Sequence, residues 1–355
     1  MGKANEKGAI MVYICLTADY EVFLGKNYSN IDEVLVAPMN KVGFMLEKKR
    51  VQTTIFVDIL FFDYLLRHNE EATFNSLKNN ICNMHKLGHS IQVHIHPHWL
   101  KTEGDLYFYS FDKKYYRLSN FADEQEDIIR YSINFLKKKI MSDYTNYSPI
   151  AFRAGGWSIQ PESKILETLF DNGVVVDSSV VKNSFSGKGK IEFYDYRNCP
   201  KSDFWSISPY SHINTISTSQ KKSIIEIPVY TINGVGITFY KILNAIKRRF
   251  MPHKRKNQKK GISCLGKKTK FQRFKSLLFE PIRFSLDNPE HISLYLKTIK
   301  RLSKKRKNSI VCMYFHPKLL DDSAINEFEH FIDEAKRMGC CFVTPDFLIK
   351  NIEKM

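Results

Sequence analysis

Three histidines alternate at the end of one apolar stretch, Gly88-His89-Ser90-Ile91-Gln92-Val93-His94-Ile95-His96-Pro97-His98-Trp99. Ile91, Val93 and Ile95 alternate with Gln92, His94 and His96, the period of a buried strand whose polar side chains share one face. Pro97 cannot donate to a ladder, so the strand should stop there and release His98 into a loop. A strand end that aims two or three neutral imidazoles at one point suits zinc and its first-row neighbours. Hydrogen-bonded core histidines are the competing reading, natural for one imidazole and poor for three so close together.

Other reactive residues fall at comparable places. Asp19 and Glu21 follow the run Ile10–Leu16, and Arg153 closes Pro149–Phe152 ahead of Gly155-Gly156-Trp157. Asp177 follows Val174–Val176, and His316-Pro317 ends Ser309–Phe315. In parallel α/β architecture the carboxyl ends of strands gather on one rim, where active sites form. Residues far apart in sequence are therefore expected to converge.

Taken in order, these segments resemble the NodB-type polysaccharide deacetylases. Thr17-Ala18-Asp19-Tyr20-Glu21 is similar to a first motif of the form Thr-Phe-Asp-Asp-Gly. Gly88-His89 with His94-x-x-x-His98 resembles the second, Arg153-Ala154-Gly155-Gly156-Trp157 the third, and Met313-Tyr314-Phe315-His316 the last. The resemblance implies a distorted (β/α) barrel that holds a divalent metal, usually zinc, and hydrolyses N-acetyl groups on sugars. It also implies roles: Asp19 as general base, His94 and His98 as metal ligands, His316 as general acid, Arg153 orienting Asp19, and Asp177 holding Arg153. A bound metal lowers the pKa of its water and polarises the acyl carbonyl. The family's second Asp falls here on Tyr20, a poor ligand when protonated, and Glu21 is the natural substitute. Residues two apart on a strand share a face, so Asp19 and Glu21 both reach the site if the strand runs that far. Failing Glu21, His96 or Asp19 completes the shell, or the site is metal-poor and the barrel only binds carbohydrate. Trp99 and Trp157 are candidate sugar-stacking platforms.

The elements that must position these groups alternate strand and helix almost throughout. Helical spacing covers Pro38–Lys49, Glu71–Leu87, Ala122–Tyr144, Pro161–Phe170 and Ala324–Met338, between the apolar runs already named and Thr53–Val57, Ile224–Val229 and Cys340–Thr344. This rhythm predicts an α/β fold with a parallel, helix-covered sheet, open or closed into a barrel. One deacetylase-like domain is expected over 9–350, interrupted by a basic insertion at 236–286.

The 355 residues carry a formal charge of +17 and a hydrophobic share of 43%, enough for a genuine core and a clear preference for anionic partners. From Lys241 to Arg283 stand fifteen Lys or Arg and one acidic residue, Glu280. Phe239–Phe250 has amphipathic helical spacing, and phenylalanines recur at 271, 274 and 279. The segment is expected to touch an anionic membrane; nucleic acid is not favoured, since basic charge alone reads no bases. Seven cysteines without Cys-x-x-Cys spacing predict free thiols. With no leader-like start and no span-length apolar run, the expected location is cytoplasmic, peripheral to the inner membrane face. The expected partner is an N-acylated sugar, presented as a nucleotide sugar or a lipid-linked saccharide.

Overall fold

From Val12 to Tyr20 the chain carries no proline or glycine, and almost every side chain is buried whichever face it points to. Such a run is stable only as a central strand covered on both sides. The computed structural model describes residues 11–27, 30–107, 109–187, 191–218, 222–250, 261–263, 269–270, 278–305 and 308–351. Its main sheet has nine strands: β1 (Val12–Tyr20), β2 (Thr54–Asp58), β3 (Ser90–Ile95), β4 (Ala151–Ala154), β5 (Val176–Asp177), β6 (Trp205–Ile207), β7 (Ile224–Glu226), β8 (Ser309–Phe315) and β9 (Cys341–Val343). Their order is β6-β7-β5-β4-β3-β2-β1-β8, with β9 paired to the start of β1. All neighbours are parallel except β6 and β7. Single bridges Val181–Val229 and Val229–Cys312 link the far side of the sheet to β8, so it curls into a distorted barrel.

The helices are α1 (Ala37–Lys48), α2 (Ile59–Arg67), α3 (Glu71–Lys86), α4 (Gln125–Phe135), α5 (Ser163–Asp171), α6 (Val235–Phe250), α7 (Ile292–Leu302), α8 (Asp322–Arg337) and α9 (Pro345–Asn351). Local chemistry sets several ends. Gly88, with φ +86°, stops α3, and the Asp321 carboxylate accepts from Ala324 N at 2.9 Å to open α8.

Sequence periodicity passed over α2, because its apolar run Ile59–Leu65 shows no period that separates helix from buried strand. The helix expected over Ala122–Tyr144 is shorter: Ala122 sits at φ 46°, which breaks helical bonding, and regular α geometry begins only at Gln125. Of the polar middle of the basic segment, Gly261–Ser263 is described and pairs antiparallel with Gly25–Asn27, while the rest, with Phe271, Phe274 and Cys264, lies outside the described residues; the other six cysteines are free thiols. No helix among the described residues is long and apolar enough to cross a membrane.

Candidate active site

Parallel register builds the site. Ala18 pairs with Phe315, Asp19 with Phe56, Asp58 with His94 and His94 with Arg153, so the carboxyl ends of β1, β2, β3, β4 and β8 lie side by side. Because β1 continues to Tyr20, strand alternation turns Asp19 towards the site and Tyr20 away from it. Tyr20 is buried in the hydrophobic core, its hydroxyl without a partner among the described residues, and burial keeps that phenol neutral. Glu21, one residue past the strand, returns to the site.

Glu21 is the hub of the cluster. Its Oε2 lies 3.2 Å from His94 Nε2 and 2.5 Å from His96 Nε2, and its Oε1 accepts from Lys318 Nζ at 2.7 Å. Lys318 Nζ also donates to the Val22 carbonyl at 2.8 Å. His94 Nδ1 is 2.7 Å from the Arg153 carbonyl, which fixes a proton on Nδ1 and leaves Nε2 facing the Glu21 carboxylate. Burial alone would raise the Glu21 carboxyl, but Lys318 and the two imidazoles together outweigh it and hold it well below the ordinary carboxylate range. One ligand atom from each of Glu21, His94 and His96 falls within 4.8 Å of the others.

That trio replaces the expected set of Glu21, His94 and His98. Pro97 opens a short helical turn, Pro97–Lys101, which swings His98 out of the group and in among Trp99, Phe111 and Tyr116. Among the described residues neither His98 ring nitrogen has a partner, and burial depresses its pKa well below the histidine norm. His96, released by the same turn, takes the position instead. It rests against Gly155, where an added Cβ would stand 2.7 Å from His96 Nδ1.

Beside this cluster is a carboxylate–guanidinium pair. Arg153, wholly buried, meets Asp19 Oδ1 with Nη1, which also donates to Thr17 Oγ1 at 2.9 Å. Its other donors go to the Ser178 carbonyl at 3.0 Å and Ser178 Oγ at 2.9 Å. Ser178 therefore holds Arg153, and Asp177 does not: Asp177 accepts from Ser179 Oγ at 2.6 Å and lies in register beside Glu226 on β7. Burial raises both of those carboxyls.

On the opposite side stands His316. Its Nε2 lies 3.7 Å from Asp19 Oδ2 and 3.5 Å from Glu21 Oε1, while its Nδ1 is 2.7 Å from Asp287 Oδ2. Asp287 Oδ1 also accepts from the His316 backbone N–H at 2.8 Å. Burial alone would lower the His316 pKa, but Asp287 outweighs it and raises it. Glu21 and His316 keep 14% and 16% of their side chains exposed, against 4% or less for Asp19, His94 and Arg153, so these two are the more accessible groups.

The tryptophans are not open platforms. Trp99 is core: its Nε1 donates to Asp58 Oδ2 at 2.7 Å, and Phe61, Tyr64 and Tyr109 surround its ring. Trp157, also buried, packs on Tyr314 and under the Arg153 guanidinium. Sequence reasoning missed Asp58, Ser178, Asp287 and Lys318. Lys318 follows His316-Pro317 directly, and Asp287 ends the alternating run Phe284-Ser285-Leu286-Asp287; both were readable as strand-end polar groups.

No family model matches this chain, and no curated protein does. Solved structures do. The probable polysaccharide deacetylase of Pseudomonas aeruginosa PAO1 aligns over 97% of this chain and 91% of its own, with 11% identity and a TM-score of 0.51. A candidate glycoside hydrolase/deacetylase from Parabacteroides distasonis aligns over 94% and 69%, with 10% identity and a TM-score of 0.52. This is the polysaccharide deacetylase fold. PuuE allantoinase shares it too, over 97% of this chain and 90% of its own, with 10% identity and a TM-score of 0.52. The polysaccharide deacetylase fold thus carries more than one activity, and the site has to argue for the substrate.

The donor set fits a divalent metal. Two imidazole nitrogens, one with its tautomer fixed by a backbone carbonyl, converge with one carboxylate oxygen, the two-nitrogen, one-oxygen set of a catalytic zinc-type centre with an open position.

Proposed function

We propose that this chain is a metal-dependent hydrolase that removes an N-acyl group, acetyl by preference, from a sugar in cell-surface polysaccharide synthesis. The observation that carries the reading is the Glu21–His94–His96 cluster lying between two supported groups, Asp19 on Arg153 and His316 on Asp287. Glu21, His94 and His96 would hold the metal, zinc being the first choice. When bound, the metal supplies a water of lowered pKa and polarises the acyl carbonyl.

The remaining work belongs to the chain's own residues. Arg153 pins Oδ1 of Asp19, leaving Oδ2 to take the proton of the attacking water. His316 carries its transferable proton on Nε2, because Nδ1 is committed to Asp287, and gives it to the departing nitrogen. An amide needs that proton, since an unprotonated amine leaves poorly. The substrate is an N-acetylated sugar carried on a nucleotide or a lipid, met on the cytoplasmic side.

A non-catalytic, carbohydrate-binding reading draws on Lys318, which already neutralises one oxygen of Glu21. Metal content of the purified protein, with acetate release from N-acetylglucosamine oligomers and a nucleotide-linked N-acetyl sugar, separates the two. Bound metal and acetate release support the hydrolase, with Asp19→Asn keeping metal while turnover falls ~10²–10⁴-fold. Sugar binding without metal under replete conditions favours the binding module.

A further inference from the structure

We infer that α6 is a membrane-docking element that lays one apolar face into an anionic bilayer beside the rim of the site. Val235, Phe239, Leu243 and Ile246 recur at helical spacing on one face of α6, and all four are exposed, Val235 at 89% and Phe239 at 62%. Ile237 and Tyr240, on the opposite face, pack against the body of the protein. The chain thus anchors the helix by its weaker apolar side and leaves the stronger one in water, a costly arrangement unless something apolar covers it. Phe279 is 76% exposed on the returning segment, which Thr238 and Lys241 tie to the helix through the carbonyls of Leu278 and Glu280.

Charge selects the occupant. The stretch 241–283 sets fifteen basic residues against one acidic residue. Basic charge with a protruding aliphatic and phenylalanine stripe is the composition of a helix lying in a lipid interface. Nucleic acid would satisfy the charge and leave the stripe in water.

Placement links the helix to the chemistry. The insertion rises from an antiparallel stem in which Thr231–Ile232 pairs with Ile282–Arg283. From that stem the chain runs directly into Ser285 and Asp287, and the Tyr240 hydroxyl donates to the Glu290 carbonyl at 3.0 Å. A bilayer under α6 therefore lies beside the rim that carries His316, where a lipid-linked saccharide is within reach. The docking itself needs neither metal nor substrate, so its test is independent of the proposed reaction.

The test is co-sedimentation of the full chain with phosphatidylcholine vesicles, with and without phosphatidylglycerol, at low and high salt. Binding should require the anionic lipid and weaken with salt. Charge reversal at Lys254, Arg255 and Lys256 should weaken it about fivefold or more per residue. Phe239→Ser with Leu243→Ser should weaken it ~10-fold or more while thermal melting stays unchanged, since both side chains are exposed. Binding equal on neutral vesicles, no binding, or full binding by the Phe239→Ser/Leu243→Ser variant would each overturn the inference. Tighter binding to duplex DNA than to anionic vesicles at the same salt would overturn it as well.

Discussion

His96 and His98 carry identical side chains two positions apart, yet only His96 reaches Glu21. The division of labour is testable by metal content. His94→Ala and His96→Ala should each lose bound zinc, whereas His98→Ala should retain it and lose stability instead, because the ring fills an aromatic pocket. Zinc retained by His96→Ala and lost from His98→Ala would restore the spacing expected from sequence. At the other end of the site, Asp287 raises the His316 pKa, so this imidazole, the proposed general acid, stays protonated to higher pH. Asp287→Asn removes that support. The alkaline limb of the pH–rate profile should move to lower pH, which a purely structural role for Asp287 would not produce.

At the scale of elements, the turn after β4 decides whether the site can form. Gly155 lies against the Ile95 carbonyl and the His96 ring, and a Cβ there would sit 2.6 Å from that carbonyl. Gly155→Ala should displace His96 and weaken zinc affinity by ~10-fold or more without unfolding the barrel; isothermal titration of the apo protein reads it directly. Strands β5 and β7 carry the Asp177–Glu226 pair, side by side in register and fully buried. Burial raises both carboxyls, so the pair's contribution is complete at pH below the unfolded carboxyl range and is lost as pH climbs through the folded values. Each unit of elevation corresponds to about 1.4 kcal/mol. Glu226→Gln should flatten the fall in melting temperature with rising pH, since the amide keeps an acceptor for Val180 N–H and gains a donor towards Asp177. An unchanged pH slope would show that this pair does not set the pH dependence of stability.

For the whole molecule, a barrel closed by isolated bridges rather than a full ladder leaves its seam between β7 and β8. The segment containing α6 leaves from just after that seam, through the Thr231–Ile232 pairing with Ile282–Arg283. The same seam places Cys312 of β8 near Ser178 Oγ at 3.7 Å, so the group holding Arg153 spans both sides of the closure. Site and closure therefore depend on the same few residues.

By itself the sequence determined the strand ends, because buried parallel strands read as apolar runs and the polar residue after each run is conspicuous. Asp19, His94, Arg153 and His316 were legible on that ground, as was the α/β class. Glu21 was legible by strand alternation, which turned on β1 reaching Tyr20. What the sequence could not decide is where a side chain points once its strand has ended. Pro97 announced the end of β3 but not the direction of the following turn, and that turn exchanged His98 for His96. Partners contributed by distant segments were equally hidden. Asp287 meets His316, Ser178 meets Arg153 and Lys318 meets Glu21 only when strand order is known. Strand order is set by packing between segments hundreds of residues apart, which no local spacing records.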